Sequence, residues 1–281
     1  VSTTQAPCPK LCFVFCGQGP QTARMGLSLA ASEPVFEKHL QRCDTLIKAQ
    51  EGWSLLEELG RDVATSKLHE TAIAQPALTA LQTGLVALLK SWSLTPDSVT
   101  GHSVGEIAAL EAAGILSLEE AMRISCHRGR IMQEADGTGA MASVLMDEQT
   151  AADTIAKYGS ALSIGAVNAP GETVISGDAR ALEKVLKSLE AKGIGHHRLP
   201  VKYAFHSEQM SPFEGHMVET IGHVTSSPAN RVCTISTVTG RRIEQVDAAH
   251  FARGIRAPVQ FSKALQATAN NGRMVYLEIG P

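Results

Sequence analysis

One six-residue turn limits what this chain can fold into more than any other stretch: Gly-His-Ser-Val-Gly-Glu at 101–106. It stands between a short segment near 98–100 and the helical pattern EIAALEAA, which Gly114 closes. A strand that reverses into a helix within one or two residues needs glycine on both sides of the turn, because backbone passes close to backbone there. The central residue is then held in a strained conformation, with its side chain at the carboxyl edge of the sheet. Ser103 occupies that place, at the amino end of a helix whose free N–H groups and dipole favour negative charge. The same spacing also reads as a capping box, with Ser103 and Glu106 as the S-x-x-E pair. Glu106 is assigned that structural role, and Ser103 is a candidate nucleophile whose reading depends on its context.

The rest of the chain repeats the alternation that this turn requires. A first strand, LCFVF at 11–15, runs into the glycine turn GQGPQ at 17–21; helical pattern then extends to about Cys43 and again over 75–92. After a helix over about 118–135 the texture changes. Between 138 and 205 the segments read strand, helix, strand, strand, helix, strand, which is the ferredoxin-like order. The chain then returns to the earlier pattern and finishes on the strand MVYLEIGP. Aromatic residues are only 4% of the chain, so the core must be built from Ala, Leu, Val and Ile, which suits helices on a mainly parallel sheet. The predicted fold class is α/β, with a large subdomain over 11–137 and 206–281 and a small ferredoxin-like (βαββαβ) subdomain inserted at 138–205. Residues 1–10 read as a proline-punctuated linker.

A net charge of −3 with 19% charged residues excludes disorder and a strongly basic nucleic-acid binder. No run approaches the roughly 18 consecutive apolar residues of a membrane helix, and the amino end lacks the charged-then-apolar pattern of a leader. No membrane association is expected, and the expected location is cytoplasmic. The six cysteines include no C-x-x-C pair and read as reduced and mostly buried. Cys8, Cys12 and Cys16 fit positions at the start of a strand better than a metal cluster, and H-E-x-x-H is absent, so no metal site is expected. His196 and His197 fall in a predicted strand and read as structural.

Three places supply context for Ser103. Gln18 follows the first strand and stands at the same sheet edge, where its backbone N–H could serve an oxyanion. His206, in AFHSEQM, lies in a loop after a strand, where a general base could reach the serine. In the helix at about 118–135, Arg123, His127, Arg130 and Glu134 share one face, whereas Arg128 points inward with Ile124, Ile131 and Ala135. A guanidinium there needs an anionic partner, either a protein carboxylate or that of a substrate.

These segments together resemble the acyltransferase domain of modular type I polyketide synthases and the related malonyl-CoA:acyl-carrier-protein transacylase. FVFCGQGPQTARMG, ETAIAQPAL, GHSVGE, HRGRIMQEADGTGAMASV, NAPGETVISG, AFHS, APVQF and LEIGP occur in order across nearly the whole chain. The resemblance implies an α/β-hydrolase-like form for the large subdomain, and an enzyme with a Ser-His dyad and no bound cofactor. Ser103 becomes the acylated nucleophile, His206 its base, Arg128 the clamp on the malonyl carboxylate, and the N–H groups of Gln18 and Val104 the oxyanion hole. Gln260 corresponds to the residue that orients the histidine, in a family where a backbone carbonyl can replace the triad acid. The implied substrate is malonyl-CoA and the implied partner an acyl carrier protein, with flanking domains of a multidomain synthase beyond Pro281. Malonyl-selective relatives tend to carry a branched aliphatic after the serine and A-F-H before the base. Val104 and Phe205 side with malonyl, and Tyr203 sides with methylmalonyl. Cys16 stands where proline commonly precedes the G-Q-G turn. Alternatives are a stand-alone transacylase, a serine hydrolase of the α/β-hydrolase type, which expects an acid between Ser and His and no inward arginine, and a non-enzymatic docking domain.

Overall fold

A computed structural model describes residues 10–135, 137, 139–228, 231–269 and 273–281; the expected linker lies outside them apart from Lys10, as does Cys8. In chain order, β1 (Lys10–Phe15) leads into α1 (Leu27–Ser32), α2 (Pro34–Glu51), α3 (Leu55–Gly60) and α4 (Thr71–Ser91). Then come β2 (Ser98–Gly101), α5 (Gly105–Ala112) and α6 (Leu118–Gln133), followed by β3 (Ala140–Val144), α7 (Glu148–Ile155), β4 (Leu162–Ala169) and β5 (Glu172–Gly177). The last elements are α8 (Ala179–Ala191), β6 (His196–Arg198), α9 (Ser211–Ile221), β7 (Cys233–Ser236), β8 (Arg241–Ile243), α10 (Ala248–Arg256), α11 (Phe261–Ala269) and β9 (Met274–Ile279).

The strands form two sheets. One has the order β8-β7-β2-β1-β9 and is parallel except for β8. The other, β4-β5-β3-β6, is antiparallel throughout, so the chain is an α/β fold with mixed sheets. Its strands pair in the order that a β-α-β-β-α-β run can reach with short connections and one crossover over each helix. Apolar residues of α8 at helical spacing, Leu182, Val185, Leu186 and Leu189, cover this second sheet against Ala140, Val144 and Ile175. A backbone exchange joins the two parts: Val167 N donates to Val259 O and Val259 N to Gly165 O, each at 2.9 Å.

Several element boundaries differ from the sequence pattern, for local reasons. The helical stretch expected up to Cys43 is two helices. Glu33 is extended, and Pro34, which lacks an N–H, restarts the helix at its first position. The second helix runs on past Cys43 to Glu51, where left-handed Gly52 ends it. The short α3 escaped the pattern, although Ser54 marks its start by accepting from Glu57 N at 3.2 Å. Helix α4 is long and apolar enough to cross a membrane by length and composition, yet 72% of that window is buried within the protein, where α2 and α6 flank it. Phe36, Leu40, Ile47, Leu81 and Met122 join these helices in one apolar cluster, and Phe13, Phe15, Val99, Ile107 and Leu110 join the parallel sheet to α5 in another. Each such side chain contributes about 1.5–3 kcal/mol through burial.

The register places Phe15 beside Gly101, so the turns after β1 and β2 leave the same edge of the sheet. They interlock through glycine. A Cβ at Gly105 would lie 2.6 Å from Phe15 O and also collide with Cys16 O, one at Gly101 would strike the backbone of Gly105 and Glu106, and one at Gly17 would lie 2.9 Å from His102 O. Gly105→Ala should therefore lower the unfolding free energy by about 3 kcal/mol, the upper end of an ordinary overpacking cost. Gly60→Ala, with nothing within 4 Å of the added carbon, should change it by less than about 1 kcal/mol. Urea unfolding of both variants checks the contrast, and equal small effects would contradict it.

Candidate active site

Ser103 stands between the end of β2 and the start of α5 with φ 52°, a left-handed conformation that costs a residue with a side chain on the order of 1–3 kcal/mol. The neighbouring backbone imposes it: His102 N donates to Phe15 O at 2.8 Å, Gly105 N to His102 O at 3.0 Å, and Glu106 N to Ser103 O at 3.1 Å. His102 is fixed in turn, with Nε2 3.0 Å from Asn168 Oδ1 of β4 and its ring edge-on to Phe261. Burial lowers the pKa of His102, against the opposing effect of the Asn168 bond.

His206 reaches the serine from the other side. Its φ is 59°; its backbone N–H donates to Ile255 O at 2.9 Å, and the preceding carbonyl, of Phe205, accepts from Ser176 Oγ at 2.6 Å. Nε2 lies 2.9 Å from Ser103 Oγ, and Nδ1 lies 2.9 Å from Ala257 O. A carbonyl can only accept, so Nδ1 carries the proton and Nε2 offers its lone pair to the serine hydroxyl. Burial and the nearby Arg128 cation push the pKa of His206 down to about 3, against the Ala257 bond, which raises it. The ring is neutral at neutral pH, in the tautomer that a general base requires.

Arg128 points inward from α6 and is 3% exposed. Nη1 donates to Gln75 Oε1 at 2.8 Å, and Nη2 donates to Ser103 Oγ at 3.0 Å and to Gly254 O at 3.4 Å. Burial pushes its pKa down to about 10, with Glu106 opposing the shift, so the guanidinium remains charged at neutral pH. Among the described residues it forms no ion pair with a carboxylate. The same helix turns its other face outward, where Arg123 binds Glu120 and the carbonyls of Ile221 and His223.

Val104 begins the first turn of α5, and Gln18 lies just beyond the end of β1. Neither backbone N–H donates to a protein acceptor among the described residues, although the Gln18 side chain is tied to Thr71 Oγ1 at 3.1 Å. A cleft reaches Ser103 and Arg128 from the side of α10, lined also by Ile107, Val238, Phe251 and Gly254. Tyr203 and Phe205 are not part of that lining. They are buried, stacked on each other with ring centres 4.5 Å apart, and the Tyr203 hydroxyl accepts from Gln133 Nε2 at 3.1 Å. Among the described residues no group of three or more histidine, cysteine or acidic side chains is placed to hold a metal ion.

Two expectations are corrected. Gln260 does not orient the histidine: its backbone is engaged with Thr237 O and Ala264 N, and Oε1 is buried without a partner. The Ala257 carbonyl, three residues earlier and just past the end of α10, already faces the ring. Glu106 is not the partner of a capping box, since the start of α5 has no side-chain cap. Its carboxylate turns into the core and meets His250 Nε2, Ser236 Oγ, and the N–H and hydroxyl of Thr237 at 2.7–2.9 Å. Burial opposes ionisation of this carboxyl, but those bonds outweigh it and hold its pKa below the usual value.

Sequence reasoning assigned no role to Gln75, His102, Asn168, Ala257 or His250. Gln75, His102 and Asn168 lie within the segments AQPAL, GHSVG and NAPGE, each singled out for its pattern, but nothing in the spacing shows that these segments meet. Ala257 acts through its backbone, which no residue type encodes.

The family described as acyl transferase domain matches residues 12–281 of the chain. Polyketide synthase GfsA of Streptomyces halstedii is 38% identical over 280 residues, which are 97% of this chain and 4% of that synthase. Among solved structures, a loading acyltransferase from the avermectin modular polyketide synthase superposes with a TM-score of 0.90 at 32% identity, covering 96% of this chain and 87% of that one. The malonyl CoA-acyl carrier protein transacylase from Clostridium perfringens gives 0.88 at 26% identity, covering 97% and 86%.

Proposed function

The chain belongs to the acyl transferase domain family, and from that premise we propose that it moves a malonyl unit from malonyl-CoA to the phosphopantetheine thiol of an acyl carrier protein. The observation that carries this reading is Arg128, a buried cation 3.0 Å from the Ser103 hydroxyl with no carboxylate paired to it among the described residues. The carboxylate of Glu106 acts on it only across a distance; a buried charge without a contacting counter-ion is costly, and an acyl group that brings its own carboxylate to the nucleophile offsets that cost. A serine hydrolase of neutral esters has no use for such a group.

The chemistry then follows from the geometry. Ser103 Oγ attacks the thioester carbonyl carbon as its proton passes to His206 Nε2. The negative charge that develops on the carbonyl oxygen falls to the N–H groups of Val104 and Gln18. When the intermediate collapses the C–S bond breaks, coenzyme A takes the proton from His206, and a malonyl ester remains on Ser103. The carrier's thiol repeats the sequence in reverse, giving its proton to His206 and leaving with the malonyl group. No step calls for a bound cofactor. Relatives such as GfsA, of which this chain spans 4%, suggest that the domain works within a larger synthase in polyketide biosynthesis. We read the parallel-sheet part as the hydrolase-like subdomain that carries Ser103, and the antiparallel sheet of β3 to β6 as a ferredoxin-like insertion.

Intact mass after brief mixing with malonyl-CoA tests the reading. One malonyl adduct is expected on the wild type and none on Ser103→Ala. Arg128→Ala should lose most of the malonyl adduct and gain relatively with acetyl-CoA, because the charge-assisted contact it forfeits is about twice as strong as a neutral hydrogen bond. Equal losses with both donors, or an adduct that maps to a cysteine, would overturn it.

For the extender unit, Val104 and Phe205 favour malonyl and Tyr203 favours methylmalonyl. The Tyr203–Phe205 stack supports the malonyl reading, since a buried ring packed face to face against another resists yielding to a methyl branch. In direct competition the wild type should prefer malonyl-CoA by kcat/KM. Phe205→Ser should narrow the preference by at most about 1–3 kcal/mol, the worth of a methyl-sized space. An unchanged ratio would place selectivity elsewhere.

A further inference from the structure

Helix α10 meets the reacting residues through carbonyls at its carboxyl end. Gly254 O accepts from Arg128 Nη2 at 3.4 Å, Ile255 O from the His206 backbone N–H at 2.9 Å, and Ala257 O, one residue past the helix, from His206 Nδ1 at 2.9 Å. The last carbonyls of a helix lack intrahelical partners and carry the negative end of its dipole. This end therefore suits both a cation and an N–H donor. Where those carbonyls stand relative to Ser103 depends on where the rest of the helix is held.

Its first turn is held by one buried pair. His250 is 5% exposed and Glu106 4%. The His250 backbone N–H donates to Asp247 Oδ1 at 2.8 Å, and its Nε2 lies 2.7 Å from Glu106 Oε1. Glu106 follows Ser103 by three residues in the first turn of α5, and the same carboxylate accepts from Ser236 Oγ at 2.7 Å and Thr237 N at 2.8 Å. One carboxylate thus joins the nucleophile's helix, the end of β7 and the start of α10.

We propose that His250 is a positioning residue for the transfer reaction: its bond to Glu106 sets α10 against α5 and so fixes the approach of His206 to Ser103. The proposal rests on the reading of Ser103 and His206 as nucleophile and base, and is independent of which acyl group is carried. His250 also packs edge-on against Phe251, with ring centres 5.5 Å apart, so its hydrogen bond must be separated from its bulk. His250→Gln keeps a donor and loses the ring; His250→Phe keeps the ring and loses the donor.

The test is the second-order rate at which a fluorophosphonate labels Ser103. That reaction forms a P–O bond to Oγ and expels fluoride, while the serine proton passes to His206, so it reports the pairing whatever the natural donor. Circular dichroism melting sets the folded fraction for each variant. The expected result is His250→Gln within about 3-fold of the wild type and His250→Phe at least about 10-fold slower, since small displacements of reacting groups cost about that much or more. With malonyl-CoA, His250→Phe should lower kcat and leave KM within about 2-fold, as befits a change in orientation alone. His250→Phe labelled at the wild-type rate, or His250→Gln as slow as His250→Phe, would overturn the proposal. If His250→Phe does not fold, the His250→Gln rate decides: about 10-fold slower than the wild type overturns it. Wild-type labelling that survives His206→Ala would instead refute the underlying dyad, and the positioning role with it.

Discussion

The bond from His206 Nδ1 to the carbonyl of Ala257 is the interaction on which the site depends. It decides which ring nitrogen carries the proton, and so which one faces Ser103 with a free lone pair. A carboxylate in that place would orient the ring equally well and stabilise its cationic form. It would also put a permanent negative charge into the pocket that holds Arg128. The guanidinium would then have a counter-ion within the protein, and an incoming carboxylate would have to compete for it. A neutral acceptor aims the histidine and leaves the arginine without a contacting carboxylate among the described residues. A carbonyl in place of an acid at Nδ1 and the presence of an inward arginine are in this sense one arrangement.

That arrangement places two groups able to carry positive charge side by side in a buried site. Arg128 stays charged because its pKa, though pushed down to about 10, remains far above neutrality. His206 yields instead, its pKa pushed down to about 3, and is neutral across the ordinary range. Ser103 and His206 both occupy left-handed conformations, and together these cost a few kcal/mol. The surrounding structure sustains them because each sits where two elements meet. Ser103 is caught between the ends of β1 and β2 and the start of α5. His206 is caught between Ser176 of β5, which holds the preceding carbonyl, and Ile255 of α10. The antiparallel sheet and the helical end of the larger part thus bear on the same residue.

How much of this could be read in advance depended on whether a feature lives in side-chain pattern or in long-range geometry. The elbow was legible because glycine is demanded at 101 and 105 by backbone crossing, and the inward turn of Arg128 because helical period alone places it with Ile124 and Ile131. The mainly parallel sheet and the strand-helix order of 140–198 followed from the alternation of apolar segments. Glu106 was misread because S-x-x-E is satisfied locally, while its true partners lie at least 130 positions away. Gln260 was misassigned because the group that orients His206 is a backbone carbonyl, which every residue possesses. The split between α1 and α2 was legible in Pro34 but was overridden by the helical run around it.

The central claim is that His206 is a neutral base whose proton sits on Nδ1, held by a carbonyl and not by an acid. Nitrogen-15 NMR of the imidazole during a pH titration tests it most directly, with His206→Gln used to assign the signals. The predicted result is the neutral Nδ1–H tautomer at neutral pH, persisting to well below the usual histidine midpoint of about 6.5. Protonation of His206 near that midpoint, or a proton resident on Nε2 in the free protein, would contradict the account.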